Sequence, residues 1–162
     1  MIKITKSLFQ KALIAGFFST FTIGVLALLT YKSTLGYFIA ASFGSSMVLL
    51  FGFPDSPFAQ PKNVFFGHLL TAVVGVIFVH LIPLPIYMNI ALGVGVGVCL
   101  MILFNVVHPP AGGNPIIVII GSASYDYLIN PIIFGSIIIL LLAILINKYI
   151  QFCSENIHNF DL

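Results

Sequence analysis

Charge is what this chain has least of. Only 6% of its 162 residues are charged, with six lysines, no arginine and four acids. A soluble domain carries about a quarter charged residues. With 60% hydrophobic residues and a mean hydropathy of +1.17, the chain reads as a membrane protein. The net charge of +2 is small and scattered, which excludes a nucleic-acid partner. The acids fall outside the apolar runs: Asp55 and Asp126 in expected loops, Glu155 and Asp161 in the tail. Carboxylate proton relays and paired-acid catalysis are therefore not expected. No Gly-x-Ser-x-Gly elbow occurs, so an enzyme is not expected either. Cys99 and Cys153 have no paired spacing, which leaves neither a disulfide framework nor a zinc site. Tryptophan is absent, and the six tyrosines lie near segment ends, as an interfacial belt requires. No cofactor and no metal site is expected. His68 and His80 share one apolar run, but lie about 120° apart around a helix and roughly 18 Å apart along it, so they cannot ligate one ion together.

What is present is apolar sequence in six stretches, residues 12–31, 35–53, 64–82, 86–107, 111–129 and 131–150. A helix needs about 20 apolar residues to cross a bilayer. Lys3, Lys6 and Lys11 before the first stretch mimic a signal peptide, but its length and the lack of a cleavage site predict a retained span. The second and fifth stretches are weaker. One carries Ser42-Phe43-Gly44-Ser45-Ser46; the other follows His108-Pro109-Pro110 with Ala111-Gly112-Gly113-Asn114-Pro115. Both are expected to be interrupted or short helices. The fold class is all-α, a polytopic transmembrane bundle of six segments. One transmembrane domain is expected over residues 1–151, with a polar tail over 152–162.

The weak stretches occupy matching places. Gly44 and Gly67 are 23 residues apart, as are Gly112 and Gly135. This suggests a two-fold inverted repeat, residues 12–82 and 86–150, offset by about 68 residues. With six crossings and a cytoplasmic N-terminus, Lys3, Lys6, Lys11, Lys62 and Lys148 fall inside and Lys32 outside, which obeys the positive-inside tendency. Re-entrant second and fifth segments would move Lys62 outside, and the sequence leaves that alternative open. Small residues recur every four positions at Gly16-Thr20-Gly24, Gly67-Thr71-Gly75 and Gly93-Gly97, where helices can pack closely.

Chemistry is expected at the breaks. A helix that begins in mid-membrane leaves its first N–H groups unpartnered at a partly positive end, a setting for a small anion. Gly44, Ser45, Ser46, Gly112, Gly113 and Asn114 are the expected donors, and His108 the expected binding or gating residue. The bland alternative is that His-Pro-Pro merely ends a helix and turns the chain.

The residues around the breaks also carry a resemblance. Phe51-Gly52-Phe53-Pro54-Asp55-Ser56-Pro57-Phe58-Ala59-Gln60-Pro61-Lys62-Asn63-Val64, then Gly67-His68, then His108-Pro109-Pro110-Ala111-Gly112 resemble the HPP family of small integral membrane proteins. The similarity runs from about Gly36 to Gly121. It implies a transporter or channel for nitrite or a related small monovalent anion, and adds Gln60 and His68 as secondary candidates. Gly113-Asn114 stand where the family pattern suggests a small residue such as alanine and then threonine, which bears on the choice of ion.

The expected partners are thus a small inorganic anion and the lipid bilayer, in a bacterial inner membrane with both termini cytoplasmic, and a homo-oligomer because one short chain leaves little room for a pathway. Two rivals stand beside this reading: a non-transporting binding or assembly protein, and a haem-binding redox protein using His68 and His108.

Overall fold

A computed structural model describes residues 5–160, apart from the side chains of residues 154, 155 and 157–160. Lys3 and Asp161 lie outside the described residues, as does the Glu155 side chain. The described residues form helices joined by turns and short extended stretches, with no strand among them. Helix α1 spans Lys6–Lys32, α3 Pro61–Leu81 and α4 Ile86–Leu103. The last helix, α6, spans Phe134–Phe160 and is preceded by a π-helical turn over Leu128–Ile133. The C-terminal tail from residue 152 is therefore helical as far as residue 160. These four helices are long and apolar enough to cross a bilayer. Their large side chains point outward in number, among them Phe17, Leu28, Leu103 and Leu145, as lipid-facing helices require.

The remaining apolar stretches are short. Helix α2, Ala41–Met47, continues as a π-helical turn over Val48–Gly52. A 3-10 turn over Pro109–Gly113 opens α5, Asn114–Ile120. Each unit, Ala41–Gly52 and Pro109–Ile120, is about 18 Å long at 1.5 Å per residue, short of an apolar layer of about 30 Å. The Ser42–Ser46 cluster does not interrupt a helix. It lies inside α2, and the non-helical stretch precedes it at residues 33–40.

Side-chain contacts fix the direction of each unit. Lys11 lies over the Phe53 ring, 5.2 Å from its centroid, and Phe18 pairs with Phe51 at 6.1 Å. The second segment thus returns to the end of the bundle where α1 begins. The same end holds Pro54, Asp55 and Pro61, which line one cleft with Asn147 and Lys148 of α6. Lys62 lines a groove with Phe104, so α4 also ends there. At the opposite end, His80 Nε2 bonds the Ala123 carbonyl at 3.0 Å and stacks on Tyr125 at 4.7 Å. There too Asn130 Nδ2 donates to the Leu35 carbonyl at 3.1 Å. The fifth segment therefore runs from one end of the bundle to the other. Both weak segments traverse it, extended chain making up the length their helices lack. Lys6, Lys11, Lys62 and Lys148 gather at one end, and Lys32 stands at the other.

The halves pack reciprocally. Ala41 and Pro109 stand 68 residues apart, as do Gly52 and Ile120. In the first half, Gly67 of α3 lies against the Val106 carbonyl and Ala111 of the second break. In the second half, Gly135 of α6 lies against the Phe38 carbonyl and Phe43 of the first. Gly135, Phe38 and Phe43 correspond to Gly67, Val106 and Ala111 at the same offset of 68. Three segments per half and this exchange of contacts fit the inverted pair that the sequence suggests. The small-residue faces serve the same packing. A Cβ at Gly75 would meet Val118 at 2.8 Å, and one at Gly97 would meet Thr71 at 3.3 Å. Gly16 and Gly24 instead border an open groove on α1.

The topology makes a direct demand. In a background with Cys99 and Cys153 replaced by serine, Asp55→Cys and Asp126→Cys will react with an impermeant maleimide from opposite sides of sealed vesicles. Labelling of both from one side would mean that the short units turn back.

Candidate functional site

Sequence elements far apart in the chain meet at one buried point. His68 is the eighth residue of α3, about 10 Å along the helix from its start. Its side chain is fully buried, as are those of His108, Ser46, Asn114 and Thr71. The His68 and His108 rings lie 4.9 Å apart, edge to face. The Ser46 hydroxyl sits between them, 3.0 Å from His68 Nε2 and 2.8 Å from His108 Nε2. Phe43, about one turn away on α2, packs edge to face on His68, with ring centroids 5.0 Å apart.

Local chemistry places each group. Prolines at 54, 57 and 61 brace the turn before α3, and Pro61 takes the first helical position, where its missing N–H costs nothing. Ser56 caps the 3-10 turn by accepting from Phe58 N at 3.3 Å. Asn63 Nδ2 donates to the Pro57 carbonyl at 2.8 Å. The turn so held aims the Phe58 carbonyl at His108 Nδ1, 2.7 Å away. Gly67 admits the other side of His108, because a Cβ there would stand 2.9 Å from that of His108. On α5, Asn114 Nδ2 donates to the His68 carbonyl at 3.1 Å and to Thr71 Oγ1 at 3.0 Å, and lies 3.2 Å from His68 Nδ1.

Donor and acceptor roles follow from groups that can act in only one way. The Phe58 carbonyl only accepts, so His108 Nδ1 carries a hydrogen. In the neutral ring Nε2 then accepts, and Ser46 Oγ–H donates to it. Ser46 Oγ accepts from His68 Nε2–H, which leaves His68 Nδ1 to accept from Asn114. One ordered chain of hydrogen bonds thus runs Asn114, His68, Ser46, His108, Phe58. Asn114 Oδ1 is left without a partner.

The expected site residues separate into two groups. Ser46, His108, Asn114 and His68 converge. Ser45 does not: it points outward, since α2 turns about 100° per residue and only Ser42 and Ser46, four apart, share the buried face. Gly44 is exposed toward the α1 groove, and Gly112 and Gly113 are half-buried within the 3-10 turn. Gln60 is exposed and lines a cleft of about 740 Å³ with Asp55, Asn147 and Lys148.

The expected amide donors also need correction. Gly44 and Ser45 lie within α2, where backbone amides belong to the helical ladder. The second break begins with two prolines, which have no N–H, and the next amide, Ala111 N, bonds the His108 carbonyl at 2.9 Å. The polar groups on offer are side chains. Ser42 and Thr71 belong to the cluster as well, Ser42 Oγ at 3.5 Å from His68 Nδ1. A spacing of four is the sequence signal for both: Ser42 lies four residues before Ser46, and Thr71 four after Gly67. The haem alternative meets a steric objection: one hydroxyl bridges the two rings, and no macrocycle fits between them.

The three motif elements, the proline-braced turn, Gly-His and His-Pro-Pro, all end on this cluster. The HPP transmembrane region matches residues 4–154. The chain belongs to the HPP family. Two curated transmembrane proteins of Dictyostelium discoideum are 37% and 34% identical to it over 135 residues, each alignment covering 77% of this chain. The alignments cover 47% and 43% of those relatives, so this HPP chain spans under half the length of the curated proteins it matches. No solved structure matches it.

Removing the shared hydroxyl leaves both imidazoles short of a partner in a dry interior. Ser46→Ala will lower unfolding stability by about 1–3 kcal/mol, whereas Ser45→Ala will stay within about 0.5 kcal/mol of the parent. Unfolding in mild detergent followed by circular dichroism measures both. Equal effects would remove Ser46 from its place in the cluster.

Proposed function

We propose that this HPP protein moves a small monovalent anion, nitrite or a close relative, across the bilayer through the seam between its two breaks. The observation that carries the reading is the buried cluster of His68, His108, Ser46, Ser42 and Asn114. It lies where two short helices meet inside a membrane bundle, and its hydrogen-bonding partners include no carboxylate. Ionisable side chains such as two imidazoles are costly to hold at that depth and mark substrate or ion pathways. Hydroxyl, amide and imidazole groups can donate to an anion without the grip of a fixed arginine, and weak sites suit throughput. The cleft lined by Gln60, Asp55 and Lys148 adjoins the Phe58–Ala59 turn and would serve as the approach from the lysine-rich end. Positive-inside bias supports a cytoplasmic position for that end.

Purified protein in liposomes will take up nitrite faster than empty vesicles at a pH well above the pKa of nitrous acid, which crosses lipid unaided. Ser46→Ala and His108→Gln will lower uptake, and Ser45→Ala will not. Equal uptake by protein-free vesicles would end this reading.

A further inference from the structure

We propose that the His68–Ser46–His108 chain binds a proton, and that each translocated anion travels with one. The inference rests on the anion reading above and adds the coupling partner.

Two features carry it. The first is that the chain has more hydrogen-bond acceptors than hydrogens, with the heavy atoms already in place. Ser46 has one O–H and two acceptors in reach, His108 Nε2 and the Ser42 carbonyl at 3.1 Å, while its oxygen accepts from His68 Nε2–H. Asn114 has two N–H bonds and three acceptors: His68 Nδ1, the His68 carbonyl and Thr71 Oγ1. A proton arriving on His108 Nε2 turns that atom from acceptor to donor, and the Ser46 O–H rotates to the Ser42 carbonyl. Both ring nitrogens of His108 then donate, to Phe58 O and to Ser46 Oγ, and no group loses its partner.

The proton also has a route onward. The transfer starts from the His68 tautomer whose hydrogen is already on Nδ1, facing Ser42 Oγ at 3.5 Å. Asn114 keeps both its bonds, to the His68 carbonyl and to Thr71. His68 Nε2 is then free to take the Ser46 hydrogen as Ser46 Oγ takes the one from His108 Nε2. One N–H bond breaks and one forms, one O–H bond is exchanged, and the positive charge moves from one imidazole to the other. No oxidant or reductant is involved.

The second feature is charge. The groups facing the two rings are Ser42, Ser46 and Phe43 from α2, the Phe58 carbonyl from the turn before α3, and Asn114 from α5. Gly67 of α3 lies against the second ring. Among the described residues, the only titratable group against either ring is the other ring, and no lysine, aspartate or glutamate hydrogen-bonds to them. An anion entering this dry centre alone would be an uncompensated buried charge, which is strongly unfavourable. A proton on the imidazole chain neutralises it. Either ligand therefore raises the affinity for the other.

Two measurements on the full chain test this. In lipid nanodiscs with 15N-labelled histidine, acidification should move the His68 and His108 ring signals together. Ser46→Thr, which keeps the hydroxyl, should preserve that joint response, and Ser46→Ala should separate the two. Rings that ignore acid while the protein stays folded would overturn the proposal. In lightly buffered proteoliposomes, with the membrane potential clamped by potassium and valinomycin, added nitrite should alkalinise the medium by one proton per nitrite taken up, beyond the protein-free control. Nitrite uptake without proton movement overturns the coupling and leaves the transport reading standing. No protein-dependent nitrite uptake overturns both.

Discussion

One serine hydroxyl, shared by two buried imidazoles, is the interaction on which the centre of this protein depends. Ser46 can satisfy His68 and His108 together only if α2, α3 and the chain before α5 converge within about 3 Å of one atom. Each neighbouring feature serves that convergence. Gly67 removes the side chain that would push His108 away. The turn through Ser56, Pro57 and Phe58 supplies the carbonyl that holds the other edge of the ring. Asn114 reaches from α5 to the backbone and ring of His68.

The same constraint explains the short helices. Unpaired backbone in lipid is prohibitively expensive, so extended chain at membrane depth must be covered by protein. Here Gly67 and Gly135 let two long helices lie directly on the two breaks, each half covering the other. This exchange makes the halves mutually dependent. It also keeps the polar cluster dry, since the ring of Phe43 and the backbone around Val106 and Ala111 fill the space beside it.

Much of this was legible in the sequence. The apolar runs, the two weak segments and the offset of 68 residues identify the bundle and its halves, because the bilayer imposes length and composition directly. The HPP motifs converge on the buried cluster, to which His108, Ser46 and Asn114 belong. What the sequence obscured was depth and direction within a helix. A cluster of glycine and serine reads as a break, yet Ser42–Ser46 sits inside α2 because the chain turns helical at Ala41, after an extended stretch. Only the helical register separates buried Ser46 from exposed Ser45. The prolines of His-Pro-Pro suggested an exposed helix start with amides to offer, but proline has no N–H, and the polar groups that meet in the buried cluster are side chains. Lysine counts favoured full crossing only slightly over re-entry. Contacts such as Lys11 on Phe53 and His80 on Ala123 decide it, and they depend on tertiary packing that no local pattern encodes.

If the hydroxyl of Ser46 truly joins the two rings, removing it and removing one ring cannot be independent events. A double-mutant cycle on unfolding stability, with Ser46→Ala, His108→Gln and the pair, measures that link most directly. A coupling of about 1 kcal/mol or more is the predicted result, as for residues in one buried network. Additive effects would contradict the account, because they would mean that the serine and the histidine do not share a bond.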